Sequence, residues 1–155
     1  MRRESCTRIE RSVDIRRPIG EVFAFHDTPE NLTRVIPASL GLRLEKTPRD
    51  LRPGCIFGYR FRRWPVEIAW EALVSEYRPP ERFVNVQSRG YFLQWRQEHH
   101  FSSRGSSTRL TVVMQYQMPK GLVGRLVNAL FLHSAMEKTV TLRLENVRRL
   151  LGESG

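Results

Sequence analysis

Arg109-Leu110-Thr111-Val112-Val113-Met114-Gln115-Tyr116-Gln117-Met118-Pro119-Lys120-Gly121-Leu122 is the stretch in which this chain changes period. Up to Met118 the apolar residues alternate. Leu110, Val112, Met114, Tyr116 and Met118 share one parity, Arg109, Thr111, Gln115 and Gln117 the other, with Val113 as the exception. That pattern predicts a strand with one buried face. Pro119 and Gly121 interrupt it. Beyond them Leu122, Leu126, Leu130, His133, Met136, Val140, Leu144, Val147 and Leu151 recur at steps of three or four. This is the apolar stripe of one long amphipathic helix. Arg125, Lys138, Arg143, Glu145 and Arg148 are expected on its other side. Gly152 ends it, with Arg148 and Arg149 in the last turns, where cations suit the helix dipole.

Working back from that junction, the chain reads as strand after strand. The expected spans are Leu42–Thr47, Cys55–Arg62, Val66–Tyr77, Arg82–Ser88, Tyr91–Ser102 and Arg109–Met118. Pro53-Gly54, Trp64-Pro65, Pro79-Pro80, Arg89-Gly90 and Gly105-Ser106-Ser107 mark the turns. Connections this short imply an antiparallel meander. Ahead of it, Ile9, Val13 and Ile15 alternate through Arg8–Arg16, although Arg11 breaks the pattern. Pro18 opens a short helix over Ile19–Phe25. A second short helix follows Pro29, with Asp27 or Thr28 as its cap, and ends at Pro37. The order is β-α-α-β6-α, an α+β chain of 155 residues expected to form one domain with an ordered core from about 8 to 151. A sheet with one apolar face must cover it, and only the last helix is long enough to do so.

Parity also predicts what faces the helix. On the sixth strand Leu93, Trp95, Gln97, His99 and Phe101 point inward, because Gln94, Arg96, Glu98 and His100 are all polar. The third strand contributes Phe57, Tyr59 and Phe61, and the fourth Val66, Ile68, Trp70, Ala72 and Val74. Apolar walls with a few convergent polar groups are the usual make-up of a small-molecule site. The expected ligand-binding residues are therefore Phe57, Tyr59, Phe61, Trp70, Leu93, Trp95, Gln97, His99, Val112, Met114 and Tyr116 from the sheet. The helix adds Leu130, His133, Met136 and Val140.

These segments resemble the START-like, polyketide cyclase/dehydrase superfamily (SRPBCC), in particular its small stand-alone bacterial members. The resemblance covers about Ile9 to Leu150. Ile15-Arg16-Arg17-Pro18-Ile19-Gly20-Glu21-Val22-Phe23 resembles the family's strand-to-helix entry, and Phe25 through Leu32 its second-helix entry. Phe83-Val84-Asn85-Val86-Gln87, then Gly90 through Trp95 to His99 and Phe101, resembles a stretch the group usually shows as FVDxQ and GPYxxWxHxHxF. Tyr116, Pro119 and Gly121 resemble its YxxPxG exit, and Leu130-Phe131-Leu132 and Arg143 fall at expected helix positions. The resemblance implies a helix-grip fold: a curved seven-stranded antiparallel sheet, two short helices and a long C-terminal helix. It also implies binding of a lipid, polyketide or isoprenoid type of ligand in the cavity between them. Where the group commonly has a histidine and two aspartates, this chain has Gln97, Val112 and Asn85. Three ionisable positions are thus neutral, and acid–base chemistry needs groups that titrate.

An enzyme of the cyclase or dehydratase kind is the first alternative, without metal or cofactor and with His99, Tyr59 and Tyr116 as its polar groups. His99 is the one catalytic candidate on a strand. No GxSxG, P-loop, HExxH or GxGxxG motif occurs. His99 and His100 are adjacent on a strand, so they point to opposite faces and cannot chelate one metal ion.

The net charge of +10 and pI near 10.7 raise a second alternative, a basic module for nucleic acid or an anionic membrane. The arginines are scattered from Arg2 to Arg149 with no block longer than a pair. That argues against nucleic acid and leaves an anionic lipid surface or a homodimer as further partners. Cys6 and Cys55 are expected as free thiols, and Met1-Arg2-Arg3 is followed by no apolar leader, as in a cytoplasmic protein.

Overall fold

The computed structural model describes residues 6–63, 66–119 and 121–152. The expected Trp64-Pro65 turn and Lys120 lie outside the described residues. The period-two segments form β1 (Thr7–Ile15), β2 (Leu42–Lys46), β3 (Ile56–Arg63), β4 (Val66–Arg78), β5 (Arg82–Arg89), β6 (Gln94–Arg104) and β7 (Ser107–Gln117). They build a seven-stranded antiparallel sheet in the order β1-β7-β6-β5-β4-β3-β2. Each strand from β2 to β7 pairs with its chain neighbour, as short turns require, and β1 joins the free side of β7.

Two short helices, α1 (Ile19–Asp27) and α2 (Leu32–Val35), lie between β1 and β2. A 3-10 turn at Pro29–Asn31 links them. The expected side-chain cap is not made. Asp27 Oδ1 instead accepts the Tyr77 hydroxyl at 2.9 Å, and the Thr28 hydroxyl donates back to the Ala24 carbonyl at 3.3 Å. Gly41 then turns the chain into β2 at φ 56°, where a Cβ would stand 2.8 Å from the Arg62 carbonyl oxygen.

The long C-terminal helix forms as expected, but its apolar stripe does not stay on one face. It is helical without interruption from Leu122 to Gly152, but a π-helical turn (Asn128–Leu132) divides it into α3 (Leu122–Val127) and α4 (His133–Gly152). A π turn takes in one extra residue, which shifts the angular phase by about 100°. The stripe therefore splits. Val140, Leu144 and Val147 are buried against the sheet, whereas Leu122 is 81% exposed and Leu126 and Leu130 are exposed with it. No helix among the described residues is long and apolar enough to cross a membrane.

Polar contacts fix α4 at both ends. Arg17 Nε donates to the Leu151 carbonyl at 2.7 Å, which satisfies an acceptor of the last turn. Asn146 Nδ2 donates to the Val35 carbonyl at 2.8 Å and ties α4 to α2. Arg11 explains its own break in the β1 pattern, because it reaches across to Glu137 of α4 at 2.8 Å.

On the convex face of the sheet the arginines meet carboxylates. Arg96 and Arg82 share Glu98 and Glu76, Arg60 holds Glu45, and Arg109 makes a two-bond fork with Asp14. These cations pair with acids along and across neighbouring strands.

Candidate functional site

The concave face carries two bands of side chains. Phe83 and Asn85 of β5 stand opposite His99 and Gln97 of β6, which in turn stand opposite Val112 and Met114 of β7. A register shift in β4 between Val74 and Glu76 turns Tyr77 inward toward Phe23 of α1. Phe23, Phe83 and Phe101 close the end of the core beneath α1, with Phe23 and Phe101 edge to face at 5.1 Å. At the other end Trp70 meets Trp95 edge to face at 4.9 Å, and Tyr59 and Phe61 pack beside Trp70.

Between these bands the interior is not filled. A cavity of about 50 Å³ is bounded by His26, Leu32, Phe57, Asn85 and neighbouring side chains. A second, of about 120 Å³, is bounded by Phe61, Trp70, Trp95, Met114, Met136 and Val140. The first has a mixed polar wall and the second a largely apolar one. Leu32, Tyr59, Gln97 and Arg143 line both. Arg143 of α4 thus divides the space between sheet and helix into a polar and an apolar half.

The helical side chain that matters most is therefore one that the sequence pattern set on the outer face. Steps of four, three and four run from Met136 through Val140 and Arg143 to Val147, so Arg143 lies on the buried stripe. Its Nη2 is 3.2 Å from His99 Nε2, and its Nη1 is 3.4 Å from Gln97 Oε1. A guanidinium only donates, so His99 Nε2 is the unprotonated acceptor and the ring proton sits on Nδ1. That Nδ1 is buried without a partner, and the ring stacks on Phe83 at 4.2 Å. Burial first, then the charge of Arg143, holds the His99 pKa well below 6.5. His26 of α1 donates Nδ1–H to the Val22 carbonyl at 2.8 Å, and its ring centre is 6.0 Å from that of His99. Burial pulls the His26 pKa down to about 4, against the raising effect of the Val22 bond. Burial likewise pushes the Tyr59 hydroxyl above its ordinary range and lowers Arg143. Arg143 is consequently a cation among neutral groups.

The expected site residues divide in three. Phe57 bounds the polar cavity, Phe61, Trp70, Trp95, Met114, Met136 and Val140 the apolar one, and Tyr59 and Gln97 both. His99, Val112 and Tyr116 are buried behind this lining: His99 orients Arg143, and Tyr116 supports Phe92 at 5.1 Å between ring centres. Leu93, Leu130 and His133 are corrections. Leu93 is 48% exposed because the chain bends before β6 begins at Gln94. Gln87 pins that bend through both its amide atoms to the backbone of Phe92, so Phe92 takes the inward place. Leu130 is 59% exposed on the π turn. His133 turns to Glu137 at 3.5 Å and lines neither cavity. His26 is a cavity group that the sequence did not single out, while Asn85 and Arg143 were marked only by the family resemblance and not as ligand-binding residues.

No protein-family model matches the chain, and comparison with curated proteins finds no match. Solved structures do match. A Thermus thermophilus protein superposes with a TM-score of 0.74 at 18% identity, over 96% of this chain and 100% of the other. A Chromobacterium violaceum protein gives 0.73 at 13% identity, over 95% and 98%. Major latex-like protein 151 of Panax ginseng gives 0.66 at 10% identity, over 94% and 97%. The chain has a helix-grip fold. At such identities the helix-grip likeness speaks for architecture alone, and the ligand must be argued from this chain's own side chains.

Proposed function

We propose that this helix-grip protein is a single ligand-binding domain that holds a small amphipathic or apolar molecule between its sheet and α4. One observation carries this reading: two adjoining cavities, of about 50 and 120 Å³, meet across a single cation on the concave face. A close-packed core has few voids of that size. The space is smaller than the roughly 300 Å³ at which ordinary ligand pockets begin. It therefore suits a compact guest, and larger lipid or polyketide molecules would require the Met136 and Arg143 side chains to move aside. Non-catalytic binding fits better than cyclase or dehydratase chemistry. His99 is buried, neutral and committed to Arg143 through Nε2, and among the described residues no carboxylate lines either cavity. Native mass spectrometry of gently purified protein is expected to retain a small-molecule adduct. A thermal-shift screen of aromatic and aliphatic compounds should raise Tm by several degrees for at least one class. A bare spectrum together with no stabilised hit would refute the binding function.

The exposed half of the C-terminal helix favours a second, compatible role, docking to an anionic bilayer from which an amphipathic guest could be taken. Leu122, Val123, Leu126, Val127, Leu130 and Phe131 are all exposed, Phe131 by 70%. From Pro119 to Met136 the sequence holds Lys120 and Arg125 but no acid, and the bend with exposed Tyr91 and Leu93 follows Arg89. Apolar side chains flanked by cations match an anionic lipid surface. Vesicles containing phosphatidylserine should co-sediment the protein at least several-fold better than neutral phosphatidylcholine vesicles, and the double change Leu130→Asp with Phe131→Asp should abolish this. Equal sedimentation with both lipids, or self-association that the same double change abolishes, would reassign the patch.

A further inference from the structure

We infer that the guest carries an anionic head, a carboxylate or equivalent acid group, which pairs with Arg143 while a compact aromatic or short aliphatic body fills the apolar cavity. This rests on the ligand-binding reading above and narrows the chemical class.

The argument begins with an imbalance of charge. A guanidinium offers five N–H donors and prefers a carboxylate in a two-bond fork. Arg143 makes only two described contacts, at 3.2 and 3.4 Å, and both acceptors are uncharged. No described carboxylate lies within ion-pair distance of it, in a protein whose other arginines pair freely with acids. Arg143 is half-buried, and a charge partly withdrawn from water is stabilised by an opposite charge beside it. The surrounding polar groups, His26, Tyr59, Asn85, Gln97 and His99, cannot supply the missing negative charge. Tyr59 lines the same cavity as Arg143, and its hydroxyl is a donor for the second oxygen of an acid group.

The other half of the ligand follows from the far side of Arg143. Phe61, Trp70, Trp95, Met114, Met136 and Val140 bound a cavity of about 120 Å³. A dry engineered cavity of about 150 Å³ accepts benzene, so this space matches one aromatic ring or a short aliphatic chain. A cation at one end of a ring-sized apolar space selects an amphipathic acid.

The matched probes are 3-phenylpropanoate and its neutral counterpart 3-phenylpropan-1-ol, titrated calorimetrically at pH 7.5. Wild type should bind the acid at least ten-fold more tightly than the alcohol. Arg143→Met should erase that preference while still binding the alcohol, and Arg143→Lys should keep part of it. Exchange of a half-buried cation that has no described carboxylate partner for methionine is not expected to prevent folding, and the lysine variant provides an independent arm. Equal affinity of wild type for acid and alcohol, or an acid preference that persists in Arg143→Met, overturns the anionic head and leaves ligand binding intact. Failure of both probes to bind wild type counts against both.

Discussion

Acidification from pH 7 to pH 4 is expected to destabilise the protein by about 3 kcal/mol through His26 alone. The sign follows from proton uptake. An unfolded histidine takes a proton near pH 6.5, whereas folded His26 resists protonation down to about 4. Between those values the unfolded chain binds more protons, so stability falls as pH falls. It begins to drop near pH 6.5 and continues to drop until His26 itself titrates in the fold. His99 acts in the same direction, because burial and the Arg143 charge hold its pKa well below 6.5. The paired carboxylates Asp14, Glu45 and Glu98 have lowered pKa values, and their contribution is lost only at more acid pH. Urea titrations from pH 7.5 to 4.5 measure this window. His26→Gln, which keeps a donor for the Val22 carbonyl, should flatten the curve. A wild-type stability that does not change between pH 7 and 4.5 would mean that neither histidine is enclosed as described.

Trp95→Ala is the second large effect, an expected loss of about 3–5 kcal/mol. Trp95 is buried, packs edge to face on Trp70 and stands opposite Tyr116 in the β6–β7 ladder. Its removal merges a new void with the apolar cavity, and neighbouring rings on a hydrogen-bonded sheet have little freedom to collapse into it. Its indole Nε1 has no described partner, so the loss is one of packing and not of a hydrogen bond. Chemical denaturation gives the difference. Toluene added at saturation should recover part of it, because a guest bound only by the folded state stabilises that state. A loss below about 1 kcal/mol would show that Trp95 does not support the cavity wall.

The architecture was legible because strand parity is a strong constraint. With Gln94, Arg96, Glu98 and His100 on one side of β6, a slip of one residue would bury four polar groups, so Trp95, Gln97 and His99 had to face inward. The same logic carried β3 and β7. Parity failed where the backbone departs from a regular ladder. The bend pinned by Gln87 exchanged Leu93 for Phe92, and the shift in β4 brought Tyr77 to the core side. Neither leaves a mark in hydrophobic pattern alone. The π turn is similar: Leu122, Leu126 and Leu130 continue the stripe of α4 in sequence but not in space.

Arg143 matched an expected helix position but was set on the outer face, for a different reason. Its phase on α4 was readable from Met136, Val140 and Val147, but its charge argued for the outside. A functional residue is where those two signals conflict. His26 came to the site from α1, remote in sequence from β6, and only the packing of α1 against β6 joins it to His99.

The most direct measurement is a methyl NMR titration of protein labelled at its methionine methyl groups, with toluene as a neutral guest. Met114 and Met136 line the apolar cavity, and Met118 does not. The resonances of Met114 and Met136 should move saturably and together, with Met118 little changed. Methyl signals of Met114 and Met136 that stay fixed at saturating toluene would mean that the space between the sheet and α4 admits no guest.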